Sequence, residues 1–240
     1  MHPDNSTGYP LQEYYSRIYS TYDLVNRLFT FGQDKKWRLE TARSCLHGNP
    51  FRILDLCCGT GDLALEIARI ADRRINITGY DLNDKMLEVA RKKAGEKKIR
   101  TVEFKTGDAG NMPFASQEFD RVTIGFGFRN LTWENPRRSK YLEEISRVLK
   151  TGGRLLILES AVPKNPLIGL FYRLYLTLVL IPLGGLLSGN WKAYRYLAGS
   201  SSGFYDITEL HSMLLPYKLN LRIEKTYLFG SVNLLIATKE

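Results

Sequence analysis

The stretch Ile53-Leu54-Asp55-Leu56-Cys57-Cys58-Gly59-Thr60-Gly61-Asp62 reads as a strand that runs into a tight turn. Its apolar, partly β-branched start reaches two glycines, and a helical pattern (Leu63, Ala64, Ile67, Ala68, Ala71) begins directly after them. Gly59 and Gly61 let the backbone turn sharply, adopt positive φ and approach a ligand with no Cβ in the way. In open α/β sheets ligands bind at the carboxyl ends of strands, so this junction predicts a fold and the place of a site together.

Working outward, strand patterns at Arg52–Cys57, Asn76–Leu82, Thr101–Thr106, Asp120–Phe126 and Arg154–Glu159 are separated by helical patterns at Asp62–Ala71, Asp84–Ala94 and Glu134–Lys150. Such alternation predicts parallel βαβ units with right-handed crossovers. Leu219–Phe229 and Val232–Lys239, joined through Phe229-Gly230-Ser231, read as a closing antiparallel hairpin. The expected fold class is α/β, a Rossmann-like, doubly wound, mostly parallel seven-stranded sheet. Helices precede it, with Leu11–Arg27 reading as helical and a second helix from about Lys35 to Leu46. One domain spanning 14–240 is expected, with a flexible tail at 1–13, N-terminal helices in 14–50 and a helical lid or insertion at 163–217.

That insertion holds the unusual stretch. Leu174 to Trp191 carries no charge, although Pro182 and Gly184-Gly185 interrupt its helical pattern. A spanning helix needs about 20 apolar residues, a length barely reached here. An ordinary buried helix and a lipophilic lid or interfacial helix compete with that reading, and the lid or interface is preferred.

Across 240 residues with 44% hydrophobic content the formal charge is +9, which favours anionic partners: nucleic acid, an anionic lipid surface or an acidic substrate. Cys45, Cys57 and Cys58 form no CxxC pair, so a reducing, cytoplasmic compartment is expected. The start of the chain lacks a secretory pattern. No Cys/His set has metal-ligand spacing, so no metal is expected.

Two ligands compete for the glycine turn. Gly59-Thr60-Gly61-Asp62-Leu63-Ala64 satisfies the permissive dinucleotide pattern, and Asp81 stands twenty residues after Gly61 at the end of the second strand, where a carboxylate can bind ribose hydroxyls. Yet Asp55 and Asp62 flank the turn and would repel a pyrophosphate. They suit S-adenosylmethionine, whose sulfonium and ammonium groups are cationic. Asp108, in Thr106-Gly107-Asp108-Ala109, can accept from an adenine amino group. The three strand ends predict one nucleoside pocket.

With those residues in view, the chain resembles class I S-adenosylmethionine-dependent methyltransferases, and more narrowly the ubiquinone/menaquinone biosynthesis C-methyltransferase family. The closer match rests on Tyr22-Asp23-Leu24-Val25-Asn26 with Trp37, on Phe126-Gly127-Phe128-Arg129-Asn130, on Arg147 through Arg154 to Glu159-Ser160, and on Ala193-Tyr194-Arg195-Tyr196-Leu197. It departs from the family's usual residues at Val25, Thr30, Asp34, Thr151 and Ala161; Asp34, a carboxylate in place of an imidazole, is the largest chemical change. The resemblance implies C-methylation of a polyprenylated quinol, demethylmenaquinol to menaquinol, with S-adenosylhomocysteine as co-product. It places Asp55, Gly59, Thr60, Gly61, Asp62, Asp81, Leu82, Asp108 and Ala109 around the cofactor, and Arg129, Asn130 and Tyr22 between cofactor and substrate. Ordinary duties compete with these roles: loop-organising hydrogen bonds for Arg129 and Asn130, a half-buried helix position for Tyr22 and strand-end capping for the aspartates. A lipophilic substrate implies peripheral contact with an anionic membrane inner face, while self-association is left open. A methyltransferase for another apolar aromatic molecule is the first alternative; an RNA-binding relative of the fold is the second, and the lipophilic run argues against it.

Overall fold

In the computed structural model, which describes residues 11–240, the opening stretch forms strand β1 (Arg52–Leu56). It is joined by β2 (Asn76–Asp81), β3 (Val102–Thr106), β4 (Phe119–Gly125), β5 (Leu149–Ser160), β6 (Leu219–Tyr227) and β7 (Val232–Lys239) in the order β3-β2-β1-β4-β5-β7-β6. The first five are parallel to one another, and β7 lies antiparallel between β5 and β6. The chain order reverses between β1 and β4, whose carboxyl ends carry the glycine turn and Phe126-Gly127. This is the switch point where open α/β sheets bind ligands.

Neighbouring residues of one strand face opposite layers, as a pleat requires. Leu54, Leu56, Leu155 and Ile157 pack with Leu142 and Ile145 of α7 (Arg138–Val148) and Leu210 and Leu214 of α11 (Ile207–Leu214). Ile53 and Leu156 face the other way, against Ala42 and Cys45 of α3 (Asp34–Leu46) and Leu63, Ala64 and Ile67 of α4 (Asp62–Ile70). Between β2 and β3 runs α5 (Asp84–Glu96), whose first turn is capped by the Asn83 side chain accepting from Met86 N–H at 3.3 Å.

A third apolar cluster stands apart from the sheet. Ile18 of α1 (Leu11–Ile18) and Val25 of α2 (Tyr22–Phe29) pack with Leu176, Leu180 and, from α10 (Trp191–Ser202), Ala193 and Tyr194. The expected single helical stretch Leu11–Arg27 is thus two helices, parted by a turn at residues 19–21 that lets both pack on α10 and its neighbours. Because α1 begins at Leu11, only residues 1–10 of the expected tail lie outside the described residues.

The uncharged run departs further from expectation. Pro182 does not break it: α8 (Pro166–Tyr175), a π-helical turn (Leu176–Leu180) and α9 (Ile181–Ser188) form one helix over Pro166–Ser188. Ile181 N–H bonds to Leu176 C=O, five residues back, and this wider turn sits just where a proline ring disturbs the ordinary ladder. Nor is this an ordinary core helix, since only 22% of its most apolar window is buried. A Cβ on Gly184 would lie 2.3 Å from the Tyr194 ring, so a residue that looked like a helix breaker is where α10 makes close contact. The helix expected over Glu134–Lys150 is the shorter α7, and a short α6 (Phe128–Thr132) that the pattern did not indicate precedes it.

Candidate active site

Two cavities meet at the carboxyl end of the sheet. The smaller, about 130 Å³, is lined by Gly59, Asp81, Leu82, Asn83, Met86, Gly127 and Asn130 among others. The larger, about 370 Å³, is mostly apolar and lies under α2, α3 and α8, with Arg129, Arg38 and Asp34 on its wall. Tyr22 and Phe126 line both, so one aromatic partition separates the two spaces.

The glycine turn has the conformation its sequence predicts. Gly61 sits at φ +78°, and a Cβ there would lie 2.8 Å from Ala90 Cβ, so any larger residue is both strained and obstructed. Asp81 Oδ2 accepts from Gly59 N–H at 2.8 Å and Oδ1 from Asn83 N–H at 2.9 Å. This fixes the carboxylate at the cavity edge with lone pairs left for hydroxyl donors. Burial raises its pKa, against the pull of those backbone donors. Asp55 is buried, bonds to Ala64 N–H at 3.1 Å and Thr123 Oγ1 at 2.7 Å, and is pushed up by desolvation to about 7. Burial likewise lifts the Cys57 and Cys58 thiols well above their usual range, which suits packing rather than nucleophilic chemistry.

The expected single pocket of three aspartates is narrower than its sequence suggested. Asp55, Thr60 and Asp62 line a small cleft of about 30 Å³ adjoining the turn. Thr60 Oγ1 donates to Asp23 at 2.6 Å, and Lys93 Nζ lies 2.5 Å from Asp23 and 2.7 Å from Asp62, tying α2 to the turn and to α5. Burial would raise the Asp62 pKa, but Arg38 and Lys93 outweigh it and hold it low. Asp108 instead accepts from Gly110 N–H at 2.9 Å and pairs with Arg137, while Ala109 is buried in the core; neither lines the 130 Å³ cavity.

Arg129 and Asn130 part company at the start of α6. Arg129, 4% exposed, faces the large cavity and pairs with Glu159, 1% exposed at the end of β5, while its buried Nε has no partner among the described residues. Burial lowers its pKa, yet Glu159 with the Tyr15, Tyr22 and Tyr172 phenols raises it further and keeps the guanidinium charged. Asn130 faces the small cavity and donates to Tyr15 Oη at 3.1 Å. Burial raises the Tyr15 and Tyr22 pKa values, so both phenols stay neutral donors. Sequence reasoning gave no independent role to Glu159 or Tyr15. Their partners lie 30 and 115 residues away, and only the strand-end position of Glu159 hinted at a site.

A glycine cradle with a strand-end carboxylate on one side and a mostly apolar, open-mouthed chamber on the other fits a methyl donor and a greasy acceptor. The model of the ubiE/COQ5 methyltransferase family matches residues 4–238. The chain belongs to this family. A demethylmenaquinone methyltransferase of Thermotoga maritima is 42% identical over 201 residues, 83% of each chain. Another so named, from Thermus thermophilus, is 43% identical over 210 residues, 88% of this chain and 93% of that one. Among solved structures, a SAM-dependent methyltransferase of Thermotoga maritima, titled a possible histamine N-methyltransferase, superposes with TM-score 0.64 at 18% identity over 96% of this chain and 100% of that one, a likeness of fold.

Proposed function

We propose that this ubiE/COQ5-family protein transfers a methyl group from S-adenosylmethionine to a ring carbon of a polyprenylated quinol, converting demethylmenaquinol to menaquinol. The observation that carries this reading is the pair of cavities sharing the Tyr22–Phe126 partition. When bound, S-adenosylmethionine supplies a methyl group on a cationic sulfur. Gly59 and Leu82 shape its seat, Gly61 holds the turn beneath it, and Asp81 takes the ribose hydroxyls, while Asp108, paired with Arg137, and the core residue Ala109 stay outside that smaller cavity. The carboxylates of Asp55 and Asp62 flank the turn, Asp62 already balanced by Lys93, and Thr60 ties the turn to Asp23 through its hydroxyl. Across the partition, Arg129 stabilises a developing phenolate while Tyr22 and Asn130 fix the two spaces against each other. Alignment and exclusion of water are the main contributions, and good alignment supplies several kcal/mol. Incubation with labelled S-adenosylmethionine and reduced demethylmenaquinone should yield labelled menaquinone; donor binding in calorimetry with no transfer to this quinol sinks the acceptor assignment.

The same reading places the enzyme on the inner face of the membrane. Leu167, Phe171, Leu178 and Leu186 on the long helix, with Phe31 and Phe229 at the cavity mouth, are each more than 60% exposed. Exposed Lys164, Arg173, Lys192 and Arg195 accompany them. A basic residue near an anionic leaflet contributes about 1 kcal/mol, so vesicles containing phosphatidylglycerol should bind at least tenfold more protein than neutral ones at low salt. Equal binding to both removes the electrostatic part.

A further inference from the structure

We propose that Asp34 is the proton acceptor of the methyl transfer. The inference rests on the quinol reading above and adds a residue to it. Among the described residues Asp34 is the one carboxylate lining the large cavity, and no histidine lines it. It opens α3 and is 2% exposed. Oδ1 accepts from Thr30 Oγ1 at 3.1 Å, and Oδ2 takes the Arg38 guanidinium, with Arg27 Nη2 3.8 Å away. Each oxygen keeps a second lone pair. Glu159, the other buried acid nearby, does not line that cavity: Arg129 and Ser160 fill its Oε1, and Arg129 N–H reaches Oε2.

A ring carbon becomes nucleophilic as the neighbouring hydroxyl loses its proton. That proton passes to Asp34, the O–H pair becomes the C=O bond, the ring carbon takes the methyl group, and the C–S pair stays on sulfur. The dienone so formed returns to the quinol by losing its ring hydrogen to water while Asp34 hands its proton back to oxygen, so one proton is released per turnover. A carboxylate is a weak base for a phenol. Arg129 from α6, on the cavity wall and paired with Glu159 rather than with Asp34, narrows that gap by favouring the phenolate, while Arg38 from α3, bonded to Asp34 itself, favours both anions. Arg27 from α2 is the remaining cation facing Asp34, and Tyr22, Tyr172 and Tyr175 are the neutral phenols on the same wall.

The test compares wild-type protein with Asp34→Asn and Asp34→Glu on reduced demethylmenaquinone between about pH 6 and 10, the range over which a phenol's own ionisation becomes appreciable. Asn keeps the shape and can bond to both Thr30 and Arg38. In Asp34→Asn, kcat should fall by roughly 10²–10³, the usual scale for a lost general base. KM for the quinol and donor affinity should stay within about threefold, a change of less than a kcal/mol. The variant's log kcat should rise steadily with pH where the wild type is flat, and Asp34→Glu should regain at least a tenth of the lost rate. A loss seen in KM, donor affinity or melting temperature with an unchanged pH profile overturns the proposal, as does undiminished kcat. No transfer by the wild type overturns the quinol reading and this role with it; equal transfer by wild type and variant overturns this role alone.

Discussion

Replacing Arg129 by Met is expected to cost about 3–5 kcal/mol of folding stability, the usual penalty for stripping the partner from a buried charge, and to lower turnover by roughly 10²–10³. Donor affinity should change little, because Arg129 lines the large cavity and not the one bordered by the glycine turn. Glu159 is the group left exposed to the consequence: it is 1% accessible and accepts from Arg129 twice, at Nη1 and at the backbone N–H. A second substitution separates the two effects. Arg129→Met with Glu159→Gln removes both charges and should recover most of the stability, measured by urea denaturation. Turnover should stay low, because Nε, a buried donor with no partner among the described residues, is gone as well. Such an unpaired donor costs about 1–3 kcal/mol unless a ligand oxygen meets it, which is the physical ground for assigning it to the acceptor. Recovery of turnover together with stability in the double variant would reduce Arg129 to a strut under α6.

The parts of this molecule legible in its sequence are those whose physics is local. A strand, a two-glycine turn and a helix follow one another within Ile53–Ile67, and the hairpin through Gly230 is equally self-contained. The strand-end aspartates were legible for the same reason, yet their duties were not. Whether Asp108 faces the cavity or Arg137 depends on a helix 29 residues further on. Asp34 stood out only as a chemical change, since nothing local shows that α2, α3 and α8 enclose a chamber around it. The long helix failed differently. Pro182 carries a strong breaking signal, but one π turn absorbs it, and tertiary contact of Gly184 with Tyr194 decides the rest.

Asp55→Asn is expected to make the protein more stable and a poorer binder of its methyl donor. Burial holds the Asp55 carboxyl at about 7 in the folded chain against 3.8 for the free group. A raised folded pKa means that its stabilising contribution is complete below pH 3.8, declines as the unfolded chain ionises, and is lost above about pH 7. The asparagine variant has no such slope. Its Oδ1 can accept from Ala64 N–H, and its Nδ2 can donate to Thr123 once that hydroxyl turns to accept, so both wild-type contacts have replacements. The stability gap should therefore open between about pH 4 and 7 and reach roughly 4 kcal/mol at pH 8, three pKa units at about 1.4 kcal/mol each. Urea midpoints at pH 5 and pH 8 measure it, and equal midpoints at pH 8 would contradict an ionised, poorly solvated Asp55. A cationic donor beside the turn favours the carboxylate, so donor affinity in the wild type should rise with pH through about 7 while proton release falls away; in the variant the affinity should be weaker and flat. A chain that keeps a costly buried acid where an isosteric amide would fold better is holding that charge for a ligand.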